Sequence, residues 1–153
     1  MMTKEAPTSM FDPDAVERLR QIAELMIPSS AQSPGASDPA ILNRILSHLA
    51  GSYSLVQNAL AALEAKSTER FGIGFCVLSE YQQRELCPNH LEPQFRAQFE
   101  LFAASSYFSD ARVMIELGMQ ARPPFPLGYE LPETDWALLE PVRQRGSISR
   151  PVD

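Results

Sequence analysis

The side chains able to do acid–base or metal chemistry are few in this sequence. Its histidines are His48 and His90, and its cysteines are Cys76 and Cys87. A nucleophilic triad needs a nucleophile, a histidine and an orienting acid brought together, and neither histidine lies in the sequence context of a catalytic base. The eleven-residue spacing of the cysteines fits no zinc or redox motif. We therefore predict two buried, reduced thiols and neither a catalytic nor a metal-binding residue.

Motifs for cofactors are also missing from the sequence. Gly72 and Gly74 form a Gly-x-Gly pair, but a dinucleotide fingerprint requires a third glycine, a preceding strand and an acidic ribose ligand. The sequence has no phosphate loop, no HExxH and no CxxC. Its paired carboxylates, such as Glu130 and Glu133, fall at loop and cap positions. No cofactor site is predicted in this chain.

Composition sets the class of protein. The chain has 153 residues, 44% of them apolar, which suffices for one domain with a core. Its net charge of −6 argues against nucleic-acid and anionic-membrane partners, because these are bound by basic patches. No apolar run approaches the ~20 residues of a membrane span, and the N-terminus shows neither an apolar signal core nor an arginine pair. We predict a soluble, cytoplasmic protein without direct membrane insertion.

Local signals predict helices along most of the chain. Asp12 and Asp38 can each cap a helix that opens with the proline after it, and apolar residues follow both at helical spacing. Pro28 ends the first of these helices. In the second, His48 lies beside the apolar stripe, where a histidine is most often a core or boundary residue. Gly51 either ends that helix or is bridged, because the apolar period continues beyond it.

The middle of the chain predicts a connector and a short helix. Residues 71–78 are apolar and interrupted by glycines, which indicates a packed connector. Ser79 then caps a helix, with Gln82 in the capping-box position. That helix is predicted to end near Cys87-Pro88, so that His90 falls in a loop.

An aromatic stripe marks the helix that begins at Pro93. The side chains of Phe95, Phe99, Phe102 and Ser106 share one of its faces at helical spacing. We interpret this face as the hub of the bundle core. A pocket for a small molecule on the same face is the alternative.

The chain changes character after Gly118. Asp110 is predicted to cap a short helix over Ala111–Leu117, with Gly118 just past its end. Residues 119–153 are too rich in proline to form a core, apart from a short helix at about 135–145. The aromatic and basic side chains of this arm are of the kind that anchors interfaces. The arm either folds back over the chain's own helices or clasps a larger protein.

The sequence thus predicts an all-α protein, a small helical bundle with an extended, proline-rich C-terminal arm. Residues 1–11 form a disordered or extended N-terminus, residues 12–118 the helical domain, and residues 119–153 the arm. Two alternatives to a protein-binding role stay open. One is a free-standing helical enzyme that uses His48 or His90, and the other is a small-molecule-binding module.

Several stretches of the sequence resemble one known family. They are Ile22-Ala-Glu-Leu-Met-Ile-Pro28, Ser33-Pro-Gly-Ala-Ser-Asp38, Tyr107-Phe-Ser-Asp-Ala-Arg-Val113, Leu117-Gly118, Arg122-Pro-Pro-x-Pro-x-Gly-Tyr129, Leu139-Glu-Pro-Val-Arg143 and Arg145-Gly146. In their order and spacing they are similar to the gluconate 2-dehydrogenase subunit 3 family, the small subunits of flavin-dependent sugar dehydrogenases. The resemblance covers both ends of the chain and is least distinctive between residues 50 and 92.

The resemblance implies a non-catalytic small subunit without a cofactor of its own. The implied partner is a large catalytic subunit of the glucose-methanol-choline type, which carries FAD and oxidises a sugar or glycoside hydroxyl, with C3 oxidation as one candidate. A cytochrome or another electron acceptor can join them, and this chain keeps the large subunit stable or helps it mature. Many members carry a twin-arginine signal, which this sequence lacks. That favours a cytoplasmic complex, or a periplasmic one if the partner carries the export signal or a signal was removed.

On this interpretation the arm and the aromatic pair before it form the partner interface. The residues predicted to lie in it are Tyr107, Phe108, Arg122, Pro123, Pro124, Phe125, Pro126, Leu127, Tyr129, Trp136 and Arg143. Arg122 supplies planar donors to carboxylates or carbonyls. The aromatic side chains fill pockets on the partner.

Overall fold

A computed structural model of the chain describes residues 10–122, 128 and 135–146. The chain divides into two compact units, Met1–Arg122 and Pro123–Asp153. Throughout the described residues the secondary structure is helical, without a strand, so the predicted all-α bundle is confirmed. Most of the proline-rich arm lies outside these residues, and its extended form stays a prediction.

The described part of the first unit consists of six α-helices. They are α1 Pro13–Met26, α2 Pro39–Leu49, α3 Tyr53–Phe71, α4 Glu80–His90, α5 Pro93–Phe108 and α6 Ala111–Glu116. Short 3-10 turns lie between α2 and α3, at Ala50–Ser52, and between α3 and α4, at Phe75–Val77. In the second unit a 3-10 turn, Trp136–Leu139, leads directly into α7, Glu140–Arg145.

Side-chain caps fix where α1, α2, α4 and α5 begin. The carboxylates of Asp12 and Asp38 accept hydrogen bonds from the first turns of α1 and α2, at 2.8 and 3.0 Å, as predicted. Ser79 and Gln82 form the predicted capping box of α4. The cap of α5 is Glu92, which accepts from two backbone N–H groups at 3.0 and 2.6 Å. This cap is not evident from the sequence, because glutamate is not among the preferred N-cap residues.

The core is built around α5, which packs most extensively against α2. Phe95 and Phe99 are fully buried, and their ring centroids lie 5.6 Å apart. Ser106, further along the same face, is buried as well. The other large side chains that are fully buried are Leu19, Ile22, Ile41, Ile45, Leu46, Leu49, Leu60, Leu63, Phe75 and Leu86. The interpretation of the stripe as core is therefore right for Phe95, Phe99 and Ser106, whereas Phe102 is half-buried and packs against the core.

The end of α4 differs from the prediction. Pro88 lies inside the helix, which continues to His90 rather than stopping near Cys87. Although a proline removes one helical donor, the backbone N–H of Leu91 still donates to the carbonyl of Cys87 at 3.1 Å, and the side chain of Leu91 is buried. The guanidinium of Arg96 donates to the carbonyl of Pro88 at 3.2 Å. These contacts hold the last turn, so His90 closes a helix instead of lying in a loop.

The other open points of the sequence analysis are resolved by short turns. The break at Gly51 is bridged by the 3-10 turn that joins α2 to α3. In the second unit Asp135 caps the 3-10 turn by accepting from a backbone N–H at 3.0 Å. Pro141 lies in the first turn of α7, where proline is tolerated, and it does not interrupt the helix.

The two thiols lie in different environments. Cys87 is buried, and desolvation raises its pKa to about 12. Cys76 is only half-buried, and desolvation again raises its pKa, with the carboxylate of Glu17 adding to the effect. The prediction of two buried, reduced thiols is right for Cys87, whereas Cys76 is free but partly exposed.

Candidate functional site

The loop after α1 folds around the carboxylate of Glu24. This carboxylate accepts hydrogen bonds from the backbone N–H and the hydroxyl of Ser29, at 2.9 and 2.8 Å, and from the hydroxyl of Ser37. Burial alone would raise the pKa of Glu24, but these donors outweigh burial and hold the pKa below its ordinary value. Glu24 lies in the first stretch that carries the family resemblance, residues 22–28. Through Ser37 it binds the second stretch, residues 33–38, and it therefore joins the two.

Gly35 lies where this loop passes closest to the end of α1. A Cβ atom on Gly35 would lie 2.6 Å from the backbone nitrogen of Ser29, 2.9 Å from the carbonyl oxygen of Ile27 and 2.7 Å from the Glu24 carboxylate. Two of these three atoms are backbone, which cannot move aside as a flexible side chain can. The loop therefore requires glycine for close approach at this position.

We expect Gly35→Ala to lower the free energy of unfolding by about 2 kcal/mol, because overpacking forces a backbone shift. Urea denaturation measures this change directly. The control is Gly51→Ala, since no atom lies within 4 Å of a Cβ placed on Gly51. Equal stability of the two variants would show that the loop adapts around Gly35 without cost.

The same loop and α2 are tied to the chain around α6. The hydroxyls of Ser33 and Tyr107 lie 2.9 Å apart and share a hydrogen bond. The guanidinium of Arg112 donates to both carboxylate oxygens of Asp38, at 2.9 and 2.8 Å. Two stretches of the family resemblance that lie far apart in sequence therefore meet in the fold.

Asp110 is the centre of the ion pairs beneath α6. Its side chain is only 7% exposed, caps α6 through the backbone N–H of Arg112 at 3.1 Å, and accepts from the Arg112 guanidinium at 2.9 and 3.2 Å. The guanidinium of Arg44, on α2, binds the same carboxylate. We call Asp38, Arg44, Asp110 and Arg112 the Asp110 network. Within it the hydrogen bonds from Arg112 lower the pKa of Asp110 to about 2 and also lower the pKa of Asp38, while the two carboxylates raise the pKa of Arg112.

The Asp110 network is structural in character. Carboxylates held this strongly by guanidinium groups stay ionised at neutral pH and neither give nor take a proton. Within residues 10–122 and 135–146, no group of three or more histidine, cysteine or acidic side chains is placed to hold a metal ion. The Asp110 network fixes α6 on α2 and on the loop before α2.

The two histidines lie on different helices. His48 is exposed on α2, and its ring stacks on that of Phe102 with centroids 5.1 Å apart. His90 is the last residue of α4 and half-buried. The boundary position expected for His48 agrees with its stacked, exposed ring.

A shallow groove of about 240 Å³ lies between α1, α4 and α5. Its apolar lining consists of Ile22, Leu25, Met26, Cys87, Pro88 and Leu91. The arginines at its edge already have acidic partners, since Arg84 pairs with Glu80 at 2.8 Å and Arg96 with Glu100 at 3.5 Å. The groove is also smaller than the ~300–1,000 Å³ of ordinary ligand pockets. It does not qualify as an anion or cofactor site.

The predicted interface residues of the first unit lie near the end of α5 and beyond α6. Tyr107 is half-buried and held by Ser33, whereas Phe108 is exposed and meets the Tyr107 ring edge-on, with centroids 5.2 Å apart. Arg122 donates from its Nε to the side-chain oxygen of Gln120 at 2.6 Å. The fold thus places Phe108 on the surface and gives Tyr107 a structural bond.

The predicted interface residues of the second unit are described in part. Trp136 is exposed, and Arg143 is exposed and pairs with Glu140 at 3.9 Å. The remaining predicted residues, Pro123, Pro124, Phe125, Pro126, Leu127 and Tyr129, lie outside the described residues. Their role in an interface stays a prediction.

Sequence reasoning missed the apolar surface at the end of α6. Ile115, Leu117 and Met119 are 64%, 57% and 49% exposed. The sequence signal that could have revealed them is the presence of three large apolar residues close to Gly118, which ends the helix. A six-residue helix can bury only one face, so some of these side chains remain exposed.

None of the helices in the described ranges is long and apolar enough to cross a membrane.

Comparison with known proteins gives one finding. The model of the family described as gluconate 2-dehydrogenase subunit 3 matches residues 13–131, which is well over half of the chain. The match begins at the first residue of α1 and runs through the loop between α1 and α2, the Asp110 network and α6. Searches of curated proteins and of solved structures gave no significant match.

Proposed function

Because the chain belongs to the gluconate 2-dehydrogenase subunit 3 family, we propose that it is the non-catalytic small subunit of a heteromeric, FAD-dependent sugar or glycoside dehydrogenase. The family match over residues 13–131 carries this proposal. The redox chemistry belongs to a large catalytic subunit of the glucose-methanol-choline type, which this chain stabilises or helps to mature. Oxidation of a sugar at C3 is the candidate reaction, with a cytochrome or other acceptor taking the electrons.

The geometry of the described residues supports an accessory role. The acidic side chains of the Asp110 network, Asp110 and Asp38, have lowered pKa values, are ionised and are held by Arg112. The two histidines lie on separate helices. Functional acids and bases usually have a pKa near the working pH, whereas these carboxylates are held far below it.

The flavin is assigned to the partner because the family resemblance implies a small subunit without a cofactor of its own. The groove between α1, α4 and α5 is small and open, and the arginines at its edge are already paired. A permanent interface between subunits buries roughly 2,000 Å² or more, and the predicted arm supplies apolar side chains for it. The cytoplasmic location inferred from the sequence stays a prediction.

The proposal is tested by affinity purification of the full chain from its own cells under native conditions. We expect a larger polypeptide to co-purify in fixed ratio, to contribute flavin absorbance and to be identified by mass spectrometry as a glucose-methanol-choline-type protein. The eluate should oxidise a sugar or glycoside in a dye-reduction assay.

The matched control is the chain expressed and purified alone, which should show no flavin absorbance and no activity. Activity of the isolated chain that disappears on His48→Ala or His90→Ala would instead establish a free-standing helical enzyme. A chromophore bound to the isolated chain would establish a small-molecule-binding module.

A further inference from the structure

Three large apolar side chains at and just beyond the C-terminal end of α6 are exposed. Ile115, Leu117 and Met119 leave between half and two thirds of their surface in water, and we call these three residues the α6 patch. Phe108, also exposed, lies at the other end of this helix, whose six residues span about 9 Å. Single exposed apolar residues need no explanation, but a concentration of them marks an interaction surface.

Burial of its own side chains does not account for the position of α6. Only Val113 of this six-residue helix is buried, and a helix that short is unstable by itself. It is held by the Asp110 network, in which Arg112 binds Asp38 and Asp110 binds Arg44. The fold therefore uses ion pairs to hold in place a helix that directs large apolar side chains into water.

The backbone around the α6 patch is also fixed. Gly118 has a φ of +73°, and its N–H donates to the carbonyl of Ile115 at 2.9 Å. The N–H of Met119 donates to the carbonyl of Met114 at 2.8 Å. These two bonds form a Schellman motif, which ends the helix and sets the directions of the flanking residues. A surface already ordered before binding loses little conformational entropy when a partner covers it.

We propose that the α6 patch is the site on the helical bundle where an apolar surface of the FAD-bearing catalytic subunit docks. This inference rests on the proposed function. Two stretches by which the chain resembles its family, Ser33–Asp38 and Tyr107–Val113, supply the contacts that hold α6, and the family match extends through the patch. The region matched by the family model therefore contains both this surface and the contacts that support it.

Charge favours a protein over a lipid bilayer as the occupant. The chain carries a net charge of −6, and Glu116 is exposed between two members of the patch. Anionic bilayers recruit proteins through clusters of lysine and arginine. The net negative charge of this chain is the opposite of what such binding requires. An apolar surface that includes the carboxylate of Glu116 is instead suited to an apolar protein face with a basic residue at its rim.

The size of the α6 patch limits what it contributes. Exposed apolar patches on single proteins reach about 300–600 Å², whereas a permanent interface buries roughly 2,000 Å² or more. The patch alone is therefore too small for such an interface, and it serves as one anchor within it. Further contacts, with the segment after Arg122 as the candidate, supply the rest of the area.

The test compares Ile115→Asp and Leu117→Asp in the tagged full chain with Val77→Asp. Val77 is a matched control because it is 73% exposed and lies in the turn between α3 and α4. We expect each patch variant to recover at least tenfold less flavin per mole of chain than wild type, and Val77→Asp to recover the wild-type amount. Because all three side chains are exposed, circular dichroism and thermal melting should show an unchanged fold.

A second measurement uses the wild-type complex alone. Amide hydrogen exchange of residues 111–119 should be slower in the complex than in the isolated chain. Normal recovery of flavoprotein by both patch variants, or unchanged exchange at residues 111–119, overturns the inference while leaving the proposed function intact. If the wild-type chain itself recovers no flavoprotein, the proposed function fails and this inference with it.

Other occupants of the patch give different results. A second copy of the chain would make the isolated protein dimeric by light scattering, and Ile115→Asp would return it to a monomer. A lipid surface would sediment the wild type, but not Ile115→Asp, with anionic vesicles. The chain's own C-terminal segment would slow exchange at residues 111–119 in the isolated full chain relative to a chain ending at Arg122. Each of these results overturns the assignment to the catalytic subunit.

Discussion

A chain that ends at Arg122 should fold as the full chain does and yet recover roughly a hundredfold less flavoprotein, a loss of about 2.8 kcal/mol. The first unit ends at Arg122, and every buried residue that the structure describes lies before this point. The described residues at 135–146 are all exposed. Their removal therefore leaves the core intact but takes away apolar side chains available to a partner, among them Trp136 and Leu138.

The position of the cut matters for this experiment. A chain shortened before Met119, where the sequence alone places the start of the arm, loses the bond from the Met119 N–H to the Met114 carbonyl that closes α6. Ending at Arg122 keeps that bond and separates the two units at their boundary. A chain that ends at Gly146 is the control and should recover flavoprotein normally. Full recovery by the chain ending at Arg122 would contradict a clasping role for the segment beyond it.

Replacement of Asp110 by alanine should lower the free energy of unfolding by about 3 kcal/mol. The substitution leaves Arg44 and Arg112 without their shared acceptor and removes the N-cap of α6. Loss of one partner of a buried ion pair costs about 3–5 kcal/mol and loss of a cap about 1 kcal/mol. The guanidinium groups are 39% and 51% exposed, so solvent screening brings the sum toward the lower figure. Chemical denaturation at neutral pH measures the change.

The pKa of Asp110 also predicts how the free energy of unfolding depends on pH. The pKa of Asp110 is about 2 in the folded protein, against about 3.9 in an unfolded chain. A depressed pKa contributes stability that is present above the unfolded value and is lost as pH falls through the folded value. Wild type should therefore lose stability between about pH 4 and pH 2. Asp110→Asn, which keeps the capping oxygen but not the charge, should show a smaller loss over this range, and an identical pH profile would contradict the assignment.

Local signals in the sequence were sufficient to predict most of the described helices. The caps at Asp12, Asp38 and Ser79 act within three residues of themselves, and the stripe of Phe95 and Phe99 follows the period of one helix. Such features need no knowledge of the rest of the chain. The end of α4 escaped prediction because the contacts that extend it past Pro88 come from Leu91 and from Arg96 on the next helix.

The candidate site could not be predicted from local patterns. Asp38 was identified only as a cap, yet its carboxylate also binds Arg112, which lies 74 positions later. Gly35 belongs to a recognisable stretch, but the atoms that exclude a side chain there become visible only in the fold. The α6 patch depends on how a short helix is oriented, and that is decided by the ion pairs to Asp38 and Arg44, which are distant in sequence.

The contacts that join the loop before α2 to the end of α5 and to α6 also determine the order in which this protein can be completed. Ser33 with Tyr107, and Asp38 with Arg112, each close a loop of 74 residues. As the chain leaves the ribosome from its N-terminus, neither bond can form until nearly three quarters of the chain has been made. Ile115, Leu117 and Met119 take up their places only after that closure. An unfinished or misfolded chain therefore offers a partner no ordered surface, and assembly itself selects for molecules whose folding is complete.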